Sequence, residues 1–359
     1  MHINEANAEI ETLIWNESDQ TGTKSAYLQY LALYPSGKYI MQANKALAAE
    51  NAWEGVVKIN SEKAYQDFIA SYPQSKKVTK AVTSLHALSW ASYKQKLLKA
   101  ETQAKDPEYS LINRLRGRDA VERAYAAMEA INNRYNMNQI MLALIELLPD
   151  NTELEYQRGG IGKTSPSAKA SAVLIKAGKS AVQPLISYML YYPRATRSAA
   201  FILGEIQDTI ATNPLIYVLQ HPEIYNSANA AASSLGKLKD KRALPYLLMG
   251  IQGKFESLEP SSNKCDTEIG CTHAVIKFGS AATDQLMSII MSPSTPINSI
   301  RNSLFALGKI GVSSESIIQQ LEQLLSTTDD YTKKYLVDAL DNLRNKEALK
   351  KIESQNSDE

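Results

Sequence analysis

Cys265 and Cys271 are the only cysteines of the chain, and their spacing gives the first candidate for chemistry. They lie six positions apart in a segment that reads as a turn-rich insertion, where little else would fix the backbone. We expect a disulfide between them, which would place the chain in an oxidising compartment. Two unrelated small residues are the alternative. A metal site is less favoured, because the spacing is not Cys-x-x-Cys and only His273 is near.

A second candidate is the segment Gly159–Thr164, which reads Gly-Gly-Ile-Gly-Lys-Thr and looks like the end of a phosphate-binding loop. The complete motif requires another glycine at the position of Gln157, with a buried strand before the loop and an apolar helix after it. Neither flank has that character. The segment is therefore interpreted as a loop between domains rather than as a nucleotide site.

No other combination of residue types indicates catalysis. The four histidines are His2, His86, His221 and His273, and none belongs to a His-Glu-x-x-His motif or to a nucleophile–base arrangement in the local sequence. The sequence therefore predicts no catalytic, metal-binding or cofactor-binding residue and no cofactor. We expect a protein that is not an enzyme.

Tyrosine dominates the aromatic residues, with 19 tyrosines against 5 phenylalanines and 3 tryptophans. Tyrosine and arginine are enriched at binding hot spots, so a cluster of both types is a candidate surface for a partner on the concave face of a helical array. Ordinary packing between helices explains the tyrosines equally well. The candidate partner-binding residues are Tyr188, Tyr191, Tyr192, Arg194, Tyr217 and Tyr225.

The formal charge is +1, from 39 basic and 38 acidic side chains, which argues against a chain that binds nucleic acid as a whole. Residues 76–118 differ, with ten basic side chains against three acidic ones. Solvated helix faces are the simpler interpretation, and docking of an anionic polymer or a nucleic acid is the alternative. The predicted basic patch consists of Lys94, Lys96, Lys99, Arg114, Arg116 and Arg118.

The first third of the chain repeats at an offset of 38 residues. Trp15 aligns with Trp53, and the Tyr-Pro pair at 34–35 recurs at 72–73. Apolar side chains recur at helical spacing within each copy, and Tyr-Pro ends a helix because the residue before proline avoids the α region. The pattern resembles the tetratricopeptide-like helical hairpins of bacterial envelope and signalling proteins, over residues 11–90. That resemblance implies a partner-binding or spacer role.

From Ser167 onward a different unit recurs, in which a helix, a glycine turn and a second helix follow one another. The glycines assigned to turns are Gly178, Gly204, Gly236, Gly279 and Gly308. The residues assigned to the openings of the second helices are Pro184, Pro214, Pro245, Gln285, Gln320 and Ala348. Six hairpins of about 30 residues are expected, because proline suits a first helical turn and glycine suits the position after a helix end. The pattern resembles the bacterial HEAT-like repeats first described in phycobilisome lyases, over residues 167–353.

These patterns together predict an all-α fold, an α-solenoid of stacked helical hairpins with a tetratricopeptide-like N-terminal part and a HEAT-like C-terminal part. The expected divisions are tetratricopeptide-like repeats in 1–105, linking helices in 106–150, a flexible linker in 151–166, HEAT-like repeats in 167–353 and a disordered tail in 354–359.

The predicted function is a non-enzymatic scaffold or adaptor that binds a protein partner, without a transmembrane segment and with nucleic acid disfavoured. The periplasm or cell envelope is the expected location, and the cytoplasm is the alternative. Two other functions stay open. One is a HEAT-like lyase or a small-ligand-handling protein with a tyrosine-lined groove. The other is docking of an anionic polymer or a nucleic acid through residues 76–118.

Overall fold

The fold is known from a computed structural model, which describes residues 2–155, 163–255, 263–311 and 314–356. Within these ranges the chain is almost entirely helical, and its only strands are the two-residue segments β1 (Leu154–Glu155) and β2 (Lys163–Thr164), paired antiparallel. The prediction of an all-α fold of helical hairpins is confirmed. No helix of the described residues is both long enough and apolar enough to cross a membrane. The chain forms two compact units, Met1–Gln95 (unit 1) and Lys96–Glu359 (unit 2).

Unit 1 consists of helices whose spacing follows the sequence repeat. Its helices are α1 (His2–Thr21), α2 (Lys24–Leu33), α3 (Ile40–Ile59), α4 (Glu62–Ser71) and most of α5 (Val78–Glu101). The last residues of α5, from Lys96 on, belong to unit 2. Both α4 and α5 begin 38 residues after the corresponding helix of the first copy. The two short helices also begin alike, because the side chains of Thr23 and Ser61 accept hydrogen bonds from the backbone N–H groups of Ala26 and Ala64. The tetratricopeptide-like character of these hairpins stays a prediction.

Each copy of the repeat in unit 1 packs aromatic rings around a tryptophan. In the first copy the ring centroid of Trp15 lies 5.3 Å from that of Tyr30, whose hydroxyl donates a 2.7 Å hydrogen bond to Glu11. Burial and this hydrogen bond raise the pKa of Tyr30 to about 12. In the second copy the residues aligned with Glu11 and Tyr30 are Ala49 and Phe68, both buried. The polar pair is thus replaced as a pair, since either polar group alone would be left without its partner.

Unit 2 is a series of helical hairpins. Its helices are α6 (Glu108–Leu115), α7 (Ala120–Asn132), α8 (Met137–Glu146), α9 (Pro166–Ala177), α10 (Lys179–Tyr191), α11 (Thr196–Ile206), α12 (Thr212–Gln220), α13 (Pro222–Tyr225), α14 (Ala228–Leu238), α15 (Leu244–Ile251), α16 (Asn263–Ile276), α17 (Thr283–Met291), α18 (Ile297–Ile310), α19 (Glu315–Leu324) and α20 (Asp330–Asn356). Short 3₁₀ turns join several of them, at Pro193–Ala195, Thr209–Ala211, Lys241–Ala243 and Gly279–Ala282.

The first helices of the hairpins in unit 2 pack against one another in sequence order. This row consists of α7, α9, α11, α14, α16, α18 and α20. The hairpin of α7 and α8, which falls in the segment predicted as linking helices, therefore adds a member at the start of the row. At the other end α20 is one continuous helix, so a sixth hairpin with a second helix opening at Ala348 does not form. Pro184 also lies inside α10 rather than at its opening.

Three of the glycines predicted to form turns lie inside helices instead. Gly204, Gly236 and Gly308 belong to α11, α14 and α18, near the C-terminal ends of those helices. A Cβ atom at these positions would approach the Cα atom of the facing helix to 2.9, 2.8 and 3.0 Å, in Ser234, Ala274 and Ala339 respectively. Glycine is required there because successive first helices touch through their backbones.

The predicted turn role holds for the remaining two glycines. Gly178 and Gly279 adopt φ values of 62° and 61°, in the left-handed region that glycine enters without steric cost.

Candidate functional site

The N-terminal turns of α9, α11 and α14 line an open groove of about 800 Å³ in unit 2. Among the described residues, sixteen line this groove, of which seven are serines, three are asparagines and none is acidic. Small hydroxyl and amide side chains leave space while presenting hydrogen-bond donors and acceptors. We call this space the serine groove. Its composition is that of a site for a polar ligand.

Five of the seven serine hydroxyls already have hydrogen-bond partners within the protein. Ser167 donates to the carbonyl oxygen of Leu148 at 2.7 Å, and Ser234 donates to that of Ala200 at 2.7 Å. The other three are Ser165, Ser171 and Ser198. The bonds of Ser167, Ser198 and Ser234 connect separate hairpins and fix the walls of the groove. Those of Ser165 and Ser171 are local to α9.

For two serines and one arginine that line the groove, the described residues provide no side-chain hydrogen bond or ion pair. Ser227 precedes the first residue of α14 and is only 8% exposed, yet its side chain makes no capping hydrogen bond. Ser233, one turn further along α14, is exposed. Arg197, in the first turn of α11, is exposed and forms no ion pair with any described residue. These three side chains are available to a ligand.

One acidic residue next to the groove in the sequence, Asp150, is neutralised. Asp150 precedes the lining residue Asn151, and its Oδ2 atom lies 2.7 Å from Nη2 of Arg123. Burial raises the pKa of Asp150, but hydrogen bonds from Thr152 and Arg123 lower it by more, so the carboxylate stays ionised and paired. Among the described lining residues, the charge in the groove therefore comes from Arg197 and from the helix N-termini.

The predicted partner-binding tyrosines lie at the end of α10 or just after it, in α12 and in α13, and none of them lines the serine groove. Tyr188 and Tyr225 are buried, and the hydroxyl of Tyr225 donates to the carbonyl oxygen of Leu190 at 3.2 Å. Burial is also the main reason that the pKa of Tyr188 is raised. Packing therefore accounts for these two residues. The serine groove is a different space, lined by serine and asparagine and not by these tyrosines.

The remaining members of that predicted set differ in exposure. Tyr192 stacks on Tyr188 with ring centroids 5.6 Å apart, and Tyr217 stacks on the imidazole of His221 at 4.0 Å. Tyr191 and Arg194 are exposed. A partner surface that includes these two residues stays a prediction.

Two members of the predicted basic patch are held in ion pairs. Arg114 bonds Glu122 and Glu129, and Arg116 bonds Glu101 and Glu146. Their positive charge is therefore largely compensated locally, which weakens the case for a polyanion site. Three of these carboxylates come from residues 119–146, outside the segment 76–118 in which the basic side chains outnumber the acidic ones. Lys94 lies in unit 1, whereas Lys96, Lys99 and Arg118 lie in unit 2.

The predicted cysteine loop is a helix. Both Cys265 and Cys271 lie in α16, and six residues of α-helix separate Cα atoms by about 9 Å along the axis. A disulfide requires Cα atoms within about 7 Å, so this helix is incompatible with the predicted bond. Cys271 is fully buried, and the side chain of Cys265 is outside the described residues. The expectation of an oxidising compartment loses its basis.

The segment similar to a phosphate-binding loop falls mostly on residues 156–162, which lie outside the described residues. Ser165, directly after it, caps α9 by accepting a hydrogen bond from Ala168 N–H. Among the described residues, no group of three or more His, Cys, Asp or Glu side chains has the arrangement of a metal site.

Comparison with protein-family models gives one match, described as "PBS lyase HEAT-like repeat", over residues 228–253. These residues are the hairpin of α14 and α15. The chain therefore contains a HEAT-like repeat. The matched repeat begins at the first residue of α14, which lines the serine groove.

Among solved structures, this HEAT-like repeat protein is similar to the complex of CpcE and CpcF of phycocyanin lyase from Nostoc sp. PCC7120. The sequences are 19% identical, the similarity covers 68% of this chain and 97% of that chain, and the TM-score is 0.33. The search of curated proteins finds no match.

The prediction that this HEAT-like repeat protein is not an enzyme is wrong. The repeat model that matches it is named after a lyase, so this repeat type does not mark a protein without catalytic activity. The sequence argument depended on missing local motifs. Groups contributed by repeats about 30 residues apart would leave no such motif.

Proposed function

We propose that unit 2 is a ligand-handling module, which holds a small ligand in the serine groove. This is the lyase or small-ligand alternative raised by the sequence, with serine and asparagine in place of tyrosine as lining residues. The observation that supports it is the groove itself, an open space of about 800 Å³ whose walls are fixed by internal hydrogen bonds. The match to a lyase-named repeat over the hairpin that forms one wall supports the same proposal.

The groove suits a ligand for a physical reason. Its walls come from three successive first helices, so the position of each polar group is set by helix packing rather than by a loop. Uncommitted hydroxyls at Ser227 and Ser233 can exchange bonds to water for bonds to a ligand without breaking a bond inside the protein. The exposed ring of Phe201 provides an apolar surface at the same site. Binding of a protein partner, the main expectation from the sequence, stays a prediction.

A groove-filling substitution tests the proposal. Ser233→Trp places an indole in the groove at an exposed position of α14, where it displaces no buried side chain. Ser316→Trp is the matched control, because Ser316 is an exposed helical serine of unit 2 outside the groove. Native mass spectrometry and absorbance spectra of the full chains, purified from the source cell, report any bound ligand.

The proposal predicts a ligand in the wild type and in Ser316→Trp, and its loss in Ser233→Trp. A ligand retained equally by Ser233→Trp, or found in none of the three proteins, would contradict it. Circular dichroism confirms that both variants are folded.

A further inference from the structure

The described residues that line the serine groove include one cation and no carboxylate. The cation is Arg197, and the N-termini of three helices face the same space. Backbone N–H groups at a helix N-terminus carry partial positive charge and attract anions. A neutral ligand would make no use of this field.

The N-terminus of α14 is the open one of the three. At α9 the side chain of Ser165 accepts a hydrogen bond from Ala168 N–H. At α11 a 3₁₀ turn precedes the helix, and Thr196 N–H donates to the carbonyl oxygen of Pro193. The first-turn N–H groups of α14 have no such side-chain partner, because Ser227 makes no capping bond.

Ser227 is a second and independent indication of a ligand. It is more than nine-tenths buried, lines the groove, and its hydroxyl has no hydrogen-bond partner among the described residues. A serine before a helix normally caps it, and Ser227 does not. Its hydroxyl lines the groove instead, where it can donate a hydrogen bond to a ligand.

We propose that the serine groove binds the oxyanion group of its ligand, a phosphate or a carboxylate, at the N-terminus of α14. The oxyanion accepts hydrogen bonds from the first-turn N–H groups and the hydroxyl of Ser227, and Arg197 supplies the countercharge. This inference deepens the proposed function, because it states the chemical class of the ligand in the same groove.

Titration of the full chain with inorganic phosphate, and separately with acetate, tests the inference by calorimetry at constant ionic strength, with chloride as the reference anion. Saturable binding of at least one of the two is expected, and the comparison distinguishes a phosphate site from a carboxylate site. Arg197→Gln should weaken that binding by about tenfold, and Ser227→Ala by a few-fold. The matched control is Arg194→Gln, since Arg194 is an exposed arginine of the preceding turn that does not line the groove, and it should bind like the wild type.

Two results would overturn the inference. One is that neither anion binds more tightly than chloride. The other is that Arg197→Gln and Arg194→Gln weaken binding equally, which would show a general charge effect. A neutral ligand that is lost in Ser233→Trp would overturn the oxyanion inference while leaving the proposed function intact. Thermal unfolding monitored by circular dichroism checks that each variant is folded.

Discussion

Gly236 provides a direct test of how closely the first helices of unit 2 pack. It lies inside α14, where the sequence pattern alone places a turn, and it faces Ala274 of α16. An alanine Cβ atom would come within 2.8 Å of the Cα atom and 3.0 Å of the Cβ atom of Ala274. Carbon atoms in good contact are about 3.5–4.0 Å apart, so the helices would have to separate by a sizeable fraction of an ångström.

The expected size of the effect is the difference between two contributions. Overpacking of a tight interface costs about 1–3 kcal/mol. Alanine in place of glycine inside a helix contributes about 1 kcal/mol in the opposite direction. Because the contact is with the backbone of α16, which cannot rotate away, Gly236→Ala should lower the free energy of unfolding by about 1–2 kcal/mol. Gly55→Ala is the control, since Gly55 is helical and a Cβ atom there would meet nothing within 4 Å. It should stabilise the protein by about 0.5–1 kcal/mol.

Urea denaturation separates the two variants by the unit that they affect. All three tryptophans, Trp15, Trp53 and Trp90, lie in unit 1, so their fluorescence follows that unit, whereas far-ultraviolet circular dichroism follows the helices of both. Gly236→Ala should lower the midpoint by circular dichroism, and Gly55→Ala should raise it by fluorescence. A Gly236→Ala protein that gains as much stability as Gly55→Ala would refute the close approach of α14 and α16.

Three further predictions concern the contacts described above. Tyr30→Phe and Glu11→Ala should each lower the free energy of unfolding by about 1–2 kcal/mol. The double variant should lower it by less than the sum of the two single effects, because it reproduces the apolar pair of the second repeat. Tryptophan fluorescence in urea measures all three variants, and strictly additive effects would contradict the pairing. Hydrogen bonds from Arg242 lower the pKa of Asp240 to about 2. The ionised carboxylate therefore stabilises the fold fully at pH values above its unfolded pKa of about 3.9, and this stabilisation is lost as the pH falls toward 2. Asp240→Asn should flatten that part of the stability–pH curve, and an unchanged slope would show that the depressed pKa is wrong. Finally, thiol titration of the denatured, unreduced chain should find two free thiols, and finding none would show that the helix at Cys271 is incorrect.

The helices could be predicted from the sequence to the extent that neighbouring residues determine them. The 38-residue offset places α4 and α5 correctly, because helical spacing and the Tyr-Pro stop are local signals. Gly204, Gly236 and Gly308 each follow a leucine, and this pattern is the same for a glycine that ends a helix and for a glycine that a facing backbone requires. That distinction depends on a helix about 30 residues away, which explains the wrong assignment of Gly204, Gly236 and Gly308.

The serine groove could not have been found in the same way. Its lining residues come from three hairpins, and each contributes serines and asparagines that alone look like ordinary helix caps. The cysteines and tyrosines were chosen as candidates because of their residue types. In the structure the two cysteines are separated along one helix, and several of the tyrosines are buried between helices. Ser227 shows the same limit, because the sequence predicts an ordinary helix cap there and only the structure shows that the capping bond is missing.

Hydrogen–deuterium exchange of the full chain, with and without the ligand isolated from it, is the most direct measurement of where that ligand binds. The serine groove predicts that the ligand slows exchange in peptides covering the N-terminal turns of α9, α11 and α14, with no change in α18 and α20. Slowed exchange confined to unit 1, or to helices that do not line the groove, would contradict the account.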